Sequence, residues 1–370
     1  MSAVNADLLF QPIKIGGKDL KHRIVYAPLT RSRAINNVPV PQAALYYSQR
    51  ATDGGLMISE ATAISPEAYG LGPHTPGIHT VAQVEAWKPV VKAVHNKGAT
   101  FFLQLWHVGR GSHNDFQPGG AAPVAPSAIG ITDKWEVYTT KGGPYKYPMP
   151  RALTEAEIPG IVEAYAQGAR NAIAAGFDGV EIPAANGYLL AQFISSLTNQ
   201  RTDKYGGTLE NRARLLFEVV DAVTEAVGAS RLGIRLSPFN KFLDCVEPEP
   251  YDTYGYIIKA LNKYGLAYLH MVEPRVLGLL DVDVPEGETL QPFREAFDGP
   301  FIAAGGFKPD TAAEAVGTHA ADLVAFGRWF LSNPDLVRRI KLGAPLTKYN
   351  RDTFYTQDPV VGYTDYPFLT

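Results

Sequence analysis

Gly179-Val180-Glu181-Ile182-Pro183-Ala184-Ala185-Asn186-Gly187-Tyr188-Leu189-Leu190-Ala191-Gln192-Phe193 is the stretch on which the fold turns. A short apolar run follows the turn signal Gly176-Phe177-Asp178-Gly179, which predicts a buried parallel strand. The strand is expected to stop near Pro183, because proline has no N–H for a sheet neighbour. Past that stop stand an amide and a phenol, Asn186 and Tyr188, on a loop made pliable by Gly187. Polar groups just beyond the carboxyl end of a buried parallel strand are where α/β enzymes keep their chemistry. The plainer reading is that Asn186 caps a turn and Tyr188 packs.

Reading outward, strand and helix patterns alternate. Strands are expected at Arg23–Ala27, Leu56–Ala61, Thr100–Leu105, the opening stretch, Leu232–Leu236, Ala267–Val272, Phe301–Ala304 and Ala321–Phe326. Helices are expected near Gln42–Ala51, Val81–Asn96, Thr154–Ala174, Leu209–Val227, Tyr254–Lys263, Leu290–Phe297, Pro309–Val316 and Pro334–Leu342. Thr154 with Glu157 has the spacing of a capping box. Eight such units without a linker-like break in 370 residues indicate one domain, residues 1–370, built as a closed (β/α)8 TIM barrel. An open doubly wound sheet would need a glycine-rich turn after the first strand, and Ala27-Pro28-Leu29-Thr30-Arg31 has none. Leu8–Leu20 alternates around Gly16-Gly17, predicting an N-terminal β-hairpin that plugs one end. Residues 107–151, rich in glycine and proline, form a loop after the third strand too long for a plain connector, hence a lid over the site.

Apolar residues make up 46% of the chain and charged residues 19%, enough for a large core. A net charge of −3 gives no argument for nucleic acid or an anionic membrane as partner. No apolar run reaches membrane-spanning length, and residues 1–7 show no signal peptide. The lone Cys245 excludes an internal disulfide and reads as a bystander thiol. A cytoplasmic enzyme, monomer or homodimer, is expected. His74, His79 and His113 lack ligand-like spacing, so no metal site is expected.

In a barrel the chemistry sits after the strands. Gly305-Gly306 and Gly327-Arg328 follow strands seven and eight, the usual phosphate site, where backbone N–H groups and a forked cation can meet an anion. Tight turns alone would be the alternative. Gln104 is an inward amide that needs partners, and Arg235 is costly inside a strand unless it meets negative charge; a structural ion pair would also serve. Thr30 adds a hydroxyl, and His107 either takes part or braces the loop. Together these suggest a phosphorylated heterocycle, and flavin mononucleotide (FMN) fits.

At this point the residues resemble the old yellow enzyme family of FMN-dependent ene-reductases, which includes the plant 12-oxophytodienoate reductases. The likeness runs through Ala27–Arg31, Gln104-Leu105-Trp106-His107-x-Gly109-Arg110, Ala185–Phe193, Asn199 to Arg212, and Gly327-Arg328 with Ser332–Leu336. It implies that Pro28, Leu29, Thr30, Ala61 and Gln104 line the flavin ring and that Arg235 sits at its pyrimidine end. It further implies that Gly305, Gly306, Gly327 and Arg328 hold the phosphate, that Phe354 and Tyr355 close the site, and that Trp106 shapes the substrate pocket. The implied reaction reduces the C=C bond of an α,β-unsaturated carbonyl, with NADPH or NADH as reductant and Tyr188 as proton donor. A phenol of pKa about 10 is protonated at neutral pH and can serve.

One departure stands out. The family has a histidine or asparagine where this chain has Pro183, paired with the residue at Asn186 to bind the substrate oxygen. Pro183 donates nothing, so the sequence implies weakened or altered activity, or a natural or engineered variant with other flavin chemistry. A flavin-binding protein with little native ene-reduction, and a phosphate-binding lyase or isomerase without flavin, are the competing readings.

Overall fold

The structure, a computed structural model, describes residues 6–277 and 280–370. The N-terminal residues 1–5, part of the segment read for a leader, lie outside them. Eight parallel strands form the centre: β1 (Ile24–Tyr26), β2 (Leu56–Ile58), β3 (Thr100–Trp106), β4 (Gly179–Ala184), β5 (Leu232–Leu236), β6 (Tyr268–Val272), β7 (Phe301–Ala304) and β8 (Leu323–Phe326). Each pairs with its sequence neighbours, β8 pairs with β1, and β3 pairs with β4 through Gly179↔Phe102, Val180↔Leu103 and Glu181↔Gln104. The sheet therefore closes, which rules out the open alternative and gives the expected (β/α)8 barrel.

The helices that alternate with the strands are α1 (Gln42–Arg50), α2 (Val81–His95), α3 (Ile158–Ala175), α4 (Leu209–Val227), α5 (Pro250–Leu261), α6 (Gln291–Ala296), α7 (Pro309–Gly317) and α8 (Leu336–Leu342), and two short helical segments, Leu189–Ile194 and Arg328–Ser332, lie in the loops after β4 and β8. Helix α2 starts where Thr80 and Gln83 form a reciprocal capping box. Helix α3 ends at Gly176, whose φ of 101° lies in the left-handed region that glycine adopts without penalty. The apolar faces of the helices and the outward faces of the strands make one large core. Inside the barrel a second cluster of Val25, Leu56, Ile58, Phe102, Ile302 and Leu323 is capped by Ile15 and Leu20. Those two belong to the antiparallel hairpin Ile13–Ile15 and Lys18–Leu20, which is the expected plug.

Several boundaries differ from the sequence reading. Strand β4 runs through Pro183 to Ala184. The ladder to β3 has already ended at Glu181↔Gln104, while that to β5 continues through Pro183↔Arg235 and Ala184↔Leu236. A missing N–H thus removes no pair on the β3 side. The box at Thr154 forms only in part. The Glu157 carboxylate accepts from the Thr154 N–H and hydroxyl, but the Glu157 N–H donates to the Thr154 carbonyl, and the α-helix starts at Ile158. Helix α5 begins four residues earlier than read, because Pro250 suits a first turn. The 107–151 loop contains its own hairpin, Glu136–Thr139 with Gly142–Lys146.

Asp178, just before β4, fixes the closing seam from outside. Its carboxylate accepts from the Phe101 N–H at 2.8 Å, Lys18 Nζ at 2.6 Å and His95 Nε2 at 2.9 Å. Burial alone would push this carboxyl up, but the bonds from His95, Lys18 and Phe101 outweigh it and bring it down to about 2. A depressed acid contributes stability that is present above its unfolded value of 3.8 and is lost as pH falls towards about 2. Asp178→Asn should therefore lower the thermal midpoint at neutral pH, and the gap to the parent should close across that acid window. A gap that stays constant through it contradicts the assignment.

Candidate active site

The carboxyl ends of the strands open into a cavity of about 860 Å³. Its lining includes Pro28, Leu29 and Thr30 after β1, Ala61 after β2, Gln104 on β3, Asn186 and Tyr188 after β4, and Arg235 on β5. Gly305 and Gly306 after β7, Gly327 and Arg328 after β8, and Phe354 and Tyr355 of the tail complete it. Of the candidate residues, Pro183 and Trp106 are buried and not in the lining.

At one end, Gly305 and Gly306 adopt φ of 125° and 64°, and a Cβ on Gly305 would stand 3.0 Å from Val276 and 3.1 Å from Glu273. The chain there exposes backbone where a side chain would intrude, as an anion cradle requires. Arg275 donates from Nε to the Gly305 carbonyl at 2.7 Å and fixes the turn. Arg328 packs over the Tyr349 ring at 5.3 Å and donates to its hydroxyl at 3.3 Å. Lys308 also lines this end.

At the opposite end lies a buried charge network. Glu181 is fully buried on β4; its carboxylate accepts from Gln104 Nε2 at 2.7 Å and from His270 Nδ1 at 2.8 Å. Burial would raise its carboxyl, yet His270, Arg235 and Gln104 hold it below the usual carboxylate range. His270 is pushed down by burial and stays neutral. Arg235 is likewise lowered by burial, with Glu181 opposing, and remains a cation. Its Nε has no protein partner among the described residues, and neither has the Thr30 hydroxyl. Unpartnered donors beside an apolar ring-sized wall suit the edge of a heterocycle.

Asn186 sits at φ 56°, with its N–H donating to Ser237 Oγ at 2.7 Å and its side-chain amide uncommitted among the described residues. Tyr188 packs edge-on against Trp106, with ring centroids 5.5 Å apart. Burial raises the Tyr188 phenol well above the tyrosine range, against the pull of Arg235. Gln192 joins the loops after β3 and β4, donating to the carbonyls of Gly187 at 2.7 Å and Val108 at 3.0 Å. His107 braces the same junction: its Nδ1 accepts from the Gly109 N–H at 3.1 Å, and burial brings the ring down to about 3. Cys245 is buried outside the lining, and burial pushes its thiol up to about 11. Among the described residues no group of three or more His, Cys, Asp or Glu could hold a metal, and no helix is long and apolar enough to cross a membrane.

Three buried arginines bring the tail into place. Arg31 donates to the carbonyls of Phe354 at 3.2 Å and Gly362 at 2.7 Å, while its own N–H donates to Glu60 Oε2 at 3.1 Å. Arg33 donates to the carbonyls of Thr353, Asp358 and Val361. Arg50 donates to the Leu331 and Tyr363 carbonyls. The 107–151 segment supplies Trp135, Tyr138 and Tyr147 to the cavity lining. The sequence reading named none of these three, nor Lys308. Their signal was a density of aromatic residues in an otherwise Gly/Pro-rich stretch, and a lysine set before a helix-starting proline.

A sequence model described as the NADH:flavin oxidoreductase / NADH oxidase family matches residues 8–347. 12-oxophytodienoate reductase 1 of Oryza sativa subsp. japonica is 55% identical over 370 residues, all of this chain and 95% of that protein. 12-oxophytodienoate reductase 2 of Arabidopsis thaliana is 50% identical over 374 residues, covering 100% of this chain and 99% of that one. Among solved structures, morphinone reductase superposes with a TM-score of 0.92 at 48% identity, covering 98% of this chain and 96% of its own. The same enzyme in complex with tetrahydroNAD gives 0.91 at 48%, covering 98% of each chain.

Gly187 has φ 74°, and a Cβ there would meet the Phe242 carbonyl at 2.8 Å and Cys245 Cβ at 3.1 Å. Gly187→Ala should cost about 1–3 kcal/mol in chemical denaturation, through strain and contact in the loop between Asn186 and Tyr188. An unchanged midpoint contradicts this account of the loop.

Proposed function

The chain belongs to the NADH:flavin oxidoreductase / NADH oxidase family, an FMN-dependent oxidoreductase of the old yellow enzyme type, and from that premise we propose that it reduces the C=C bond of α,β-unsaturated carbonyl compounds. The observation carrying this reading is that Asn186 and Tyr188 line the same cavity as Thr30, Gln104 and Arg235. The glycine turns with Arg328 fit the phosphate of FMN, and Arg235 and Thr30 fit the polar edge of its ring. Bound there, FMN supplies the hydride, taken from NADPH or NADH.

The protein's own groups do the rest. The free amide of Asn186 donates to the substrate carbonyl oxygen and draws electron density from the alkene. The phenol of Tyr188, kept protonated by burial, gives its proton to the α-carbon and is reprotonated from solvent. Trp135, Tyr138 and Tyr147 present an apolar wall, so a bulky apolar enone or enal suits the space.

Pro183 weakens the oxygen-binding half of the site. On a strand, residues two apart share a face, so position 183 lies on the face that carries Glu181, level with Arg235. A donor side chain there would project towards the mouth; proline offers none. One such donor is worth about 10²–10³ in rate.

Pro183→His should raise turnover of 2-cyclohexenone at least about 10-fold, given the size of one oxyanion contact. Equal rates would show that this position does not serve the substrate oxygen. Tyr188→Phe should slow the oxidative half-reaction with enone about 10²-fold or more, the lower range for a lost general acid, while reduction by NADPH stays near the parent rate. Stopped-flow traces with a matching loss in both halves refute the assignment.

A further inference from the structure

Glu181 is a buried anion that the proposed reaction does not use, and its surroundings are specific. An ionised carboxylate only accepts, so both of its neighbours must turn donors towards it. Gln104 therefore points its NH2 at Glu181, over 2.7 Å, which leaves the amide carbonyl for the cavity that Gln104 lines. His270 must carry its proton on Nδ1 to donate over 2.8 Å. The Gln104 backbone is held too, its N–H donating to Ser59 Oγ at 3.1 Å. Glu181 is absent from the cavity lining, so it meets no ligand itself. The strand register sets it opposite Gln104 on one side and Gly233 on the other, two residues before Arg235, whose charge it faces without an ion-pair contact.

We propose that Glu181 is a positioning residue of the cofactor site: it orients the Gln104 amide and offsets the charge of Arg235, and so sets both the grip on FMN and its reduction potential. This rests on the reading of Gln104 and Arg235 as groups that meet the flavin ring. The amide role acts through geometry. With its NH2 engaged, Gln104 offers an acceptor to a ring N–H and cannot flip. The charge role acts through the field. The reduced cofactor carries more negative charge than the oxidised one, so a fixed anion nearby disfavours it and a fixed cation favours it. With Glu181 ionised, Arg235 is partly neutralised; without it, Arg235 acts at full strength.

Two variants separate the roles. Glu181→Gln keeps the volume and removes the charge; its oxygen can still accept from Gln104, while its NH2 turns to His270 Nδ1, whose proton moves to the unpartnered Nε2. It should favour the reduced cofactor over the oxidised one about 10-fold more than the parent does, a midpoint about 30 mV more positive for a two-electron couple. Glu181→Asp keeps the charge but draws it back from Gln104. Its midpoint should stay at the parent value while its Kd for FMN rises at least three-fold. FMN fluorescence titration of the apoproteins gives the affinities, reference-dye titration the potentials, and thermal melts report folding. A Glu181→Gln midpoint equal to the parent's, or an equal shift in both variants, overturns the charge role. If Glu181→Gln does not fold, Glu181→Asp still decides: an unchanged Kd overturns the orienting role, and a moved midpoint overturns the charge role. A parent protein that binds no FMN overturns the reading of the pocket, and the proposal with it.

Discussion

Closure of the sheet is the constraint from which everything else follows. The pairing of β3 with β4 ends at Glu181↔Gln104. That rung is also bridged by the two side chains, carboxylate to amide, in the dry interior. An open sheet would leave two edges and spread the strand ends along a line. A closed one brings eight carboxyl ends around a single mouth, so residues more than two hundred positions apart, such as Thr30 and Arg235, line one cavity. The lower half of the barrel is apolar and plugged by the hairpin; the upper half sets a few polar side chains, Gln104 and Arg235 among them, into an open cavity. The asymmetry of the barrel is thus the origin of the site.

Much of this was written legibly in the chain. The strands at Leu232–Leu236 and Phe301–Ala304 and the helix at Leu209–Val227 were read to the residue, because each is an apolar or amphipathic run bounded by glycine, proline or a capping threonine. Parallel strands alternating with helices left few arrangements, and the glycine turns after the last two strands marked the anion end. What local pattern cannot show is register. Glu181 looked like one polar letter in a buried run; only the closed ladder, β3 directly and β6 by way of β5, sets it against Gln104 and His270, 77 and 89 residues away. Pro183 misled in a related way. A proline ends a ladder only where there is a ladder to end, and the neighbour on one side had already stopped.

How the 107–151 loop and the tail are seated was illegible for a different reason. Residues 107–151 have weak periodicity because their hairpin is short and largely exposed, so nothing in spacing announced that Trp135, Tyr138 and Tyr147 border the cavity. Tail contacts depend on guanidinium groups meeting carbonyl oxygens, and a carbonyl carries no signature in a sequence. Arg31, Arg33 and Arg50 are all buried. Each would be an expensive cation without acceptors, and backbone oxygens supply most of them.

Those arginines impose an order on assembly. Arg31 stands at the start of the chain, directly after the first strand, yet the oxygens it needs belong to Phe354 and Gly362, separated from it by 323 and 331 residues. During synthesis from the amino end, the loop that carries Thr30 emerges early and must wait, hydrated and unanchored, for almost the whole polypeptide to follow. The barrel itself cannot close until β8 has emerged to pair with β1, and its mouth is finished later still. Competence to hold a ligand arrives last, when the segment around Phe354 leaves the ribosome and settles over the guanidinium groups that have been waiting for it.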